Sequence, residues 1–255
     1  MTGRLPLRFF ILTFSLSIPF WLAGSLTEWQ LLPGLPVASL MGVCPAIAAI
    51  ILISGTEKSA GVTKLLKRAF DGRRIQSKIW YAPIVLLMPA IALATYGLIR
   101  SAGSEVPAGQ QPSAVAALIV FPVFFVEALA EELGWMGYAF DPMEERWGAL
   151  RAGVLLGGVW AAWHIVPLMQ ARRSAGWIAW WCLYTVATRV LIVWIYKNTG
   201  RSVFAVALYH AMANMSTMLF PGTFDPRITG LIVAGAATLV AIIWGPRTLA
   251  LFKKT

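Results

Sequence analysis

Long apolar runs separated by short polar segments dominate the pattern of hydrophobic and polar positions along this chain. A transmembrane helix needs about 20 predominantly apolar residues. Runs close to that length lie at residues 7–27, 36–55, 79–100, 114–140, 153–170, 177–197, 202–220 and 228–245. Proline and glycine, which interrupt helices, stand in the connections between them. The pattern therefore predicts an all-α polytopic membrane bundle of about eight transmembrane helices.

Composition supports a membrane protein and argues against a soluble one. Hydrophobic residues make up 58% of the 255 positions and charged residues 13%, whereas a typical soluble domain is about one quarter charged. The connections are too short for a separate soluble domain, so residues 1–255 are predicted to form a single integral membrane domain. The two cysteines, Cys44 and Cys182, lie inside apolar runs, which indicates neither a disulfide framework nor a cysteine-based zinc site.

The distribution of positive charge predicts the orientation, because cytoplasmic loops are enriched in Lys and Arg. With the N-terminus inside, the cytoplasmic segments contain Arg4, Arg8, the basic residues of segment 58–78, Arg146, Arg151, Lys197, Arg201, Arg247, Lys253 and Lys254. The opposite segments contain Arg100, Arg172, Arg173 and Arg227. The asymmetry predicts that both termini lie on the cytoplasmic side of a cell membrane, which is expected to be a bacterial inner or plasma membrane. It explains the net charge of +10 without a nucleic-acid partner.

The basic stretch from Thr56 to Lys78 has two interpretations. Its apolar residues stand close to helical spacing, which would suit a helix lying along the anionic inner leaflet. An ordinary positively charged cytoplasmic loop explains the same residues. Both interpretations stay open, and neither indicates catalysis.

Several polar residues interrupt the apolar runs. A charged side chain at the centre of a transmembrane helix costs about 2.5–3.5 kcal/mol on insertion scales, so such residues usually face a cavity and have a function. Both histidines of the chain fall within apolar runs. The polar residues that need an explanation are Glu127, Glu131, Glu132, His164, Arg189, His210 and Asn214.

Their depth in the membrane predicts that they meet. With a rise of about 1.5 Å per residue from the cytoplasmic end of each run, Glu131, His164 and His210 lie roughly 13, 16 and 12 Å deep. Arg189, counted from Lys197, lies roughly 12 Å deep. Asn214 stands one turn beyond His210 on the same helix face. Glu132 is turned by about 100° from Glu131, so the adjacent carboxylates are expected to have different roles.

This set suits hydrolysis of a peptide bond. A carboxylate in a low-dielectric site can take a proton from water, and a nearby imidazole can position that water, which predicts Glu131 and His164 as the base. His210 and Asn214 could donate to the oxyanion of the tetrahedral intermediate. A zinc shell of Glu131, His164 and His210 is the alternative. The metal-free site is preferred, because no His-Glu-x-x-His motif is present; Zn²⁺ stays open as a cofactor.

Three short motifs occur in order on separate runs: Glu131-Glu132-Leu133-Gly134-Trp135-Met136-Gly137-Tyr138, then Trp160-x-x-x-His164, then His210-x-x-x-Asn214. They resemble the motifs of the CAAX prenyl protease 2 family, also called the Abi or CPBP intramembrane protease family, and the resemblance covers residues 114–220 as the catalytic core. It implies an intramembrane endopeptidase in which Glu131 and His164 activate water and His210 and Asn214 form the oxyanion hole. Relatives act on prenylated C-terminal Cys-a-a-X sequences or are linked to bacteriocin immunity and peptide processing, so the resemblance leaves the substrate open.

Two positions depart from the family pattern. Family members often carry Arg where this chain has Met136, and Met cannot replace that charge. Arg189 is one candidate for the missing counter-charge to Glu132 or Glu127; the other interpretation is a side chain that extends to the inner interface. The second motif starts with Trp160 instead of Phe, which should still pack beside His164. Trp135 and Trp160 could line a groove for an apolar or prenylated peptide, or only pack helices.

Two other classes of function remain. A catalytically inactive scaffold of the same fold would explain the loss of the family Arg at Met136. A proton-coupled transporter would also place Glu and His within membrane helices. The expected partners are a peptide or protein substrate at the membrane and the lipid bilayer, and the oligomeric state is not predicted.

Overall fold

A computed structural model describes residues 6–27, 29–32, 35–103, 114–220 and 224–250. The helices are α1 Leu7–Leu26, α2 Cys44–Lys67, α3 Tyr81–Ser101, α4 Ala114–Gly134, α5 Phe140–Trp147, α6 Ala149–Gln170, α7 Ala175–Asn198, α8 Val203–Leu219 and α9 Pro226–Trp244. Two short strands, β1 Gln30–Leu32 and β2 Leu35–Pro36, pair in antiparallel fashion. Short 3₁₀ segments lie at Val37–Val43, Arg68–Arg74 and Lys78–Trp80.

The predicted polytopic helical bundle is confirmed. Each of the eight predicted apolar runs corresponds to one long helix within the described residues. Six of these helices are long and apolar enough to cross a membrane, and α8 is a shorter apolar helix. The chain is therefore a multi-pass membrane protein. The number of helices that cross the membrane, their orientation and the extent of the single domain stay predictions.

The predicted run 114–140 is not one uniform helix. It consists of α4, a π-helical turn at Trp135–Ala139 and the first residue of α5. A π-turn is a local widening of the helix and is often found at functional sites. The turn begins three residues after Glu132, so it sets the direction in which the chain leaves the two central carboxylates.

Helix α7 lies at the centre of the bundle. It packs against α6 and α9, while α8 packs against α4 and α3, and α2 packs against α4 and α1. Almost every side chain of α7 from Tyr184 to Tyr196 is buried. A polar residue on this part of α7 must therefore find its partners inside the protein.

Small residues let the central helices approach each other closely. A Cβ atom on Gly157 of α6 would lie 3.0 Å from both the Cβ of Arg189 and the Cα of Val186 on α7. A Cβ atom on Gly134 would lie 2.5 Å from the backbone of Pro45 on α2. Close backbone approach at small residues is the usual way in which membrane helices pack, and here it brings α6 and α7 together at the level of Arg189.

Candidate active site

Glu131 is a buried carboxylate held by two tryptophans. The indole Nε1 of Trp160 donates to its Oε2 at 2.7 Å, and the indole Nε1 of Trp135 donates to the same oxygen at 3.3 Å. Glu131 as a whole is only 4% exposed. Within the described residues Oε1 carries no hydrogen bond, so one oxygen is fixed and the other is left for a further partner.

Glu132 points to a different set of partners, as its rotation from Glu131 predicts. Arg189 Nη1 donates to Glu132 Oε2 at 2.6 Å, and His210 Nδ1 lies 3.0 Å from Oε1. The side chains of Glu132 and Arg189 are both 0% exposed. Arg189 is therefore a buried partner of Glu132, and the interpretation that it extends to the interface is excluded.

The ring orientation of both histidines follows from their Nδ1 contacts. His164 Nδ1 lies 2.9 Å from the carbonyl oxygen of Trp160, and a carbonyl oxygen can only accept, so this nitrogen carries the hydrogen. His210 Nδ1 lies against the Glu132 carboxylate. This carboxylate is ionised, since it pairs with Arg189, and can only accept a hydrogen bond, so His210 Nδ1 also donates. In the neutral form each ring then presents an unprotonated Nε2.

Trp160 brings most of these groups together. Its indole contacts Glu131 through Nε1, and its ring centroid lies 5.5 Å from that of His164 and 5.2 Å from that of His210. The guanidinium carbon of Arg189 lies 4.1 Å from the same ring centroid, which is cation–π geometry. The predicted meeting of Glu131, His164, Arg189 and His210 at one level is thus present in the structure.

Two predicted residues are less closely tied to this group. Asn214 is half-buried one turn beyond His210, and its carbonyl accepts from Thr217 Oγ1 at 2.8 Å. No hydrogen bond within the described residues joins its side chain to the carboxylates. Glu127 is half-buried on the far side of Glu131 and packs against Gly42, where an added Cβ would lie 2.9 Å from its Cγ.

Sequence reasoning missed one residue of this layer. Trp181 of α7 stands with Trp177 and Trp180 near the outer end of an apolar run, where tryptophans usually form an aromatic belt at the membrane interface. Its ring centroid lies 5.2 Å from that of His164 and its side chain is half-buried. Trp163 contacts the same imidazole at 4.8 Å. A tryptophan near the end of an apolar run suits either the membrane interface or a contact with His164. Only the rotation of α7 about its axis decides between these two positions.

A cleft of about 1590 Å³ opens near this layer, at the end of the bundle that carries most of the Lys and Arg. Phe9, Leu65, Gly137 and Tyr138 are among its lining residues. Phe9 stacks edge-on against Trp135 at 5.4 Å, and Trp135 is fully buried. An aromatic wall therefore separates this cleft from Glu131.

The zinc alternative does not fit this arrangement. No group of three His, Cys, Asp or Glu side chains close enough to hold a metal ion occurs in the part of the chain that the structure describes. Glu131 Oε2 already accepts from two indoles, and His210 Nδ1 is engaged by Glu132. Glu131 Oε1 and the Nε2 atom of each histidine carry no hydrogen bond within the described residues, so the misfit lies in the placement of the three side chains relative to one another, and no step is assigned to a metal.

Comparison with known proteins finds similarity to CAAX prenyl proteases. Residues 113–216 match the model of the family described as type II CAAX prenyl endopeptidase Rce1-like. The chain is also 27% identical to CAAX prenyl protease 2 of Methanococcus maripaludis, over 92% of this chain and 93% of that protein. The matched segment contains every residue of the buried carboxylate and histidine layer.

The fold and the matched family define a protease that works within the membrane. Over residues 113–216 the chain is similar to the Rce1-like CAAX prenyl endopeptidases, the family that the three motifs resemble.

Proposed function

We propose that this protease hydrolyses its substrate with water activated by Glu131 and His164. The observation that carries the proposal is the state of the Glu131 carboxylate: two indoles fix Oε2, and Oε1 is left for a water molecule. A buried carboxylate with one fixed and one open oxygen suits a general base, because its geometry is set before the water arrives.

The attack follows from these contacts. Glu131 takes a proton from water while the water oxygen bonds to the carbonyl carbon of the scissile peptide. His164 orients the water by accepting a hydrogen bond from its second hydrogen at Nε2, since its Nδ1 already donates to Trp160, and this hydrogen stays on the oxygen of the new carboxyl group. When the tetrahedral intermediate collapses, the C–N bond breaks and Glu131 returns its proton to the leaving amine. Each proton thus has a named origin and acceptor.

His210 and Asn214 are proposed to stabilise the oxyanion. The Nδ1 hydrogen of His210 is committed to Glu132, so the ring can donate through Nε2 only as imidazolium. Glu132 is the counter-ion that favours this doubly protonated form. Asn214, one turn away on α8, would supply the second donor from its amide.

The substrate is proposed to be a peptide carrying a prenylated Cys-a-a-X end, in keeping with the name of the Methanococcus relative. The walls around His164 are aromatic, with Trp163 and Trp181 on the imidazole itself. Such surfaces are compatible with an apolar or lipid-modified peptide. The membrane is proposed to be a bacterial inner or plasma membrane.

Hydrolysis of a farnesylated Cys-a-a-X peptide by purified protein tests the proposal. Glu131→Gln should lower kcat/KM by about 10²–10⁴-fold through loss of the base. His210→Ala should lower it by about 10²–10³-fold through loss of an oxyanion donor. Glu145→Gln, which changes an exposed carboxylate on α5, is the matched control and should retain wild-type activity.

The outcomes separate the parts of the proposal. Wild-type rates in Glu131→Gln would rule out the assigned base. Equal cleavage of a peptide without the farnesyl group would rule out prenyl recognition, and no cleavage of either peptide by the wild type would rule out this substrate class. Inhibition by a chelator, reversed by added Zn²⁺, would contradict the metal-free mechanism.

A further inference from the structure

Arg68 joins three segments that are far apart in the sequence. Its Nη1 donates to the carbonyl of Gly137 at 2.8 Å, and its Nη2 donates to the hydroxyl of Tyr196 and, at 3.1 Å, to the carbonyl of Arg201. The guanidinium carbon also lies 5.7 Å from the Tyr196 ring centroid. One side chain therefore connects the π-turn, the end of α7 and the loop before α8.

The π-turn contains one carbonyl that lacks its π-type partner. In a π-helix each carbonyl pairs with the N–H five residues further on. Five residues after Gly137 stands Pro142, which has no N–H, so this carbonyl cannot form the π-type bond. Arg68 supplies a charged donor at this point. Gly137 lies two residues after Trp135, whose indole holds Glu131, so the clamp is close to the base.

The other two acceptors lie on the chain segments that carry the remaining polar residues. Tyr196 stands two helical turns beyond Arg189 on the same face of α7. Arg201 precedes α8, the helix that carries His210. The Arg68 guanidinium thus fixes α7 and α8 at one end, and fixes both against the π-turn.

A neighbouring residue holds the start of α8. Asp71 accepts from Ser202 Oγ at 2.7 Å and from the backbone N–H groups of Phe204 at 3.1 Å and Val203 at 3.3 Å. This is an N-terminal helix cap supplied by another element, and its charge suits the helix dipole. The 3₁₀ segment Arg68–Arg74 therefore contacts both the π-turn and the first turn of α8.

We propose that Arg68 is a positioning residue of the active site, an inference that rests on the hydrolase function proposed above. It holds the π-turn against α7 and α8, and so sets the separation between Glu131 and the oxyanion donor His210. Arg68 does not contact either group. Its effect passes through the backbone of Gly137 and Trp135 on one side and through α8 on the other.

Arg68→Lys is the decisive variant. Lysine keeps the positive charge, but its single nitrogen cannot reach all three acceptors of the planar guanidinium. Arg73→Lys makes the same change on an exposed side chain of the same segment and is the matched control. Two quantities are measured for each variant: kcat and KM on the farnesylated peptide, and hydrogen exchange of the amides from Trp135 to Ala139.

The proposal expects three results for Arg68→Lys. Its kcat falls by about 10- to 100-fold, the size of effect that a small misplacement of reacting groups produces. KM stays at the wild-type value, since only transition-state geometry is lost. Exchange of the π-turn amides becomes faster than in the wild type, because the turn has lost its clamp. Arg73→Lys matches the wild type in all three.

Two results would overturn the proposal. Unchanged exchange in Arg68→Lys would show that the guanidinium does not hold the turn. A rise in KM with kcat unchanged would show that Arg68 binds substrate instead. The exchange measurement needs no substrate, so it decides whether Arg68 holds the π-turn even if the wild type does not cleave the peptide and the proposed function fails.

Discussion

The ion pair between Glu132 and Arg189 places two charged side chains at the centre of the bundle, where charges are rare. Both side chains are completely buried, and two of the three guanidinium nitrogens, Nε and Nη2, have no hydrogen-bond partner within the described residues. The Trp160 ring, 4.1 Å from the guanidinium carbon, offsets part of that cost. Burying charge rarely adds stability, so the pair is better explained by its contact with His210.

Removal of one partner of the ion pair should therefore lower the free energy of unfolding more than removal of both. Arg189→Met leaves the charge of Glu132 buried without its cation, which typically costs about 3–5 kcal/mol in the free energy of unfolding. In the double variant Arg189→Met with Glu132→Gln no unpaired charge remains, and most of that loss should be recovered. Thermal unfolding in detergent measures both variants, and peptide hydrolysis should be low in the double variant, in which His210 has lost its counter-ion Glu132.

A double variant as unstable as Arg189→Met would contradict this explanation, since the loss would then come from packing. Glu132→Gln alone gives the reference for the carboxylate. Full activity in the double variant would separately exclude a role for Glu132 in holding His210 as imidazolium.

At this scale the sequence predicts which residues meet but not their exact partners. Polar residues inside apolar runs, at equal depth in the membrane, were enough to predict that Glu131, His164, Arg189 and His210 lie together. Periodicity within one helix gives no information about the rotation of the next helix. The indole contacts of Glu131, the contact of Trp181 with His164 and the inward direction of Arg68 all depend on such rotations.

At the scale of elements, the contact between α6 and α7 sets the position of Arg189. Gly153 and Gly157 stand one turn apart on the face of α6 that meets Val190, Val193 and Val186 of α7. This spacing of small residues allows close helix approach. The alignment of Arg189 with Glu132 therefore depends on the absence of side chains at these positions.

Gly157→Ala should push the two helices apart. The new Cβ would lie 3.0 Å from the Cα of Val186, a backbone atom that cannot rotate away, and from the Cβ of Arg189. Overpacking of this kind costs about 1–3 kcal/mol, and peptide hydrolysis should fall with it. Gly158→Ala is the control, because a Cβ there meets nothing within 4 Å; it should retain activity and unfold at or above the wild-type temperature. Equal behaviour of the two variants would exclude the close-contact role.

The sequence predicts the existence of the elements well and their interruptions poorly. All eight apolar runs have a corresponding helix, because hydrophobic length is a direct physical requirement of the membrane. The π-turn inside the run 114–140 and the hairpin of β1 and β2 leave no trace in that pattern. The basic stretch from Thr56 to Lys78 is predicted as a loop or an interfacial helix, and neither prediction reveals that Arg68 contacts the π-turn or that Asp71 contacts Ser202 before α8.

At the scale of the whole molecule, charge divides the bundle into two ends. At one end Arg201 pairs with Asp141 and Glu144, and Lys197 pairs with Glu144. At the other end the C-terminal ends of α1 and α6 lie together, and Gln170 Nε2 donates to the carbonyl of Trp21 at 2.6 Å. The large cleft opens at the basic end. The excess of Lys and Arg there predicts that this end, with the cleft, faces the cytoplasm.

Labelling of single cysteines tests that orientation in intact cells. In a background with Cys44→Ala and Cys182→Ala, Ser59→Cys places a thiol on the exposed wall of the cleft. Gly176→Cys places one at the opposite end, where an added Cβ meets nothing within 4 Å. A membrane-impermeant maleimide should label Gly176→Cys in intact cells and Ser59→Cys only after permeabilisation. The reverse pattern would place the cleft outside, so a substrate made inside the cell could reach it only after export, and the charge asymmetry would need another cause.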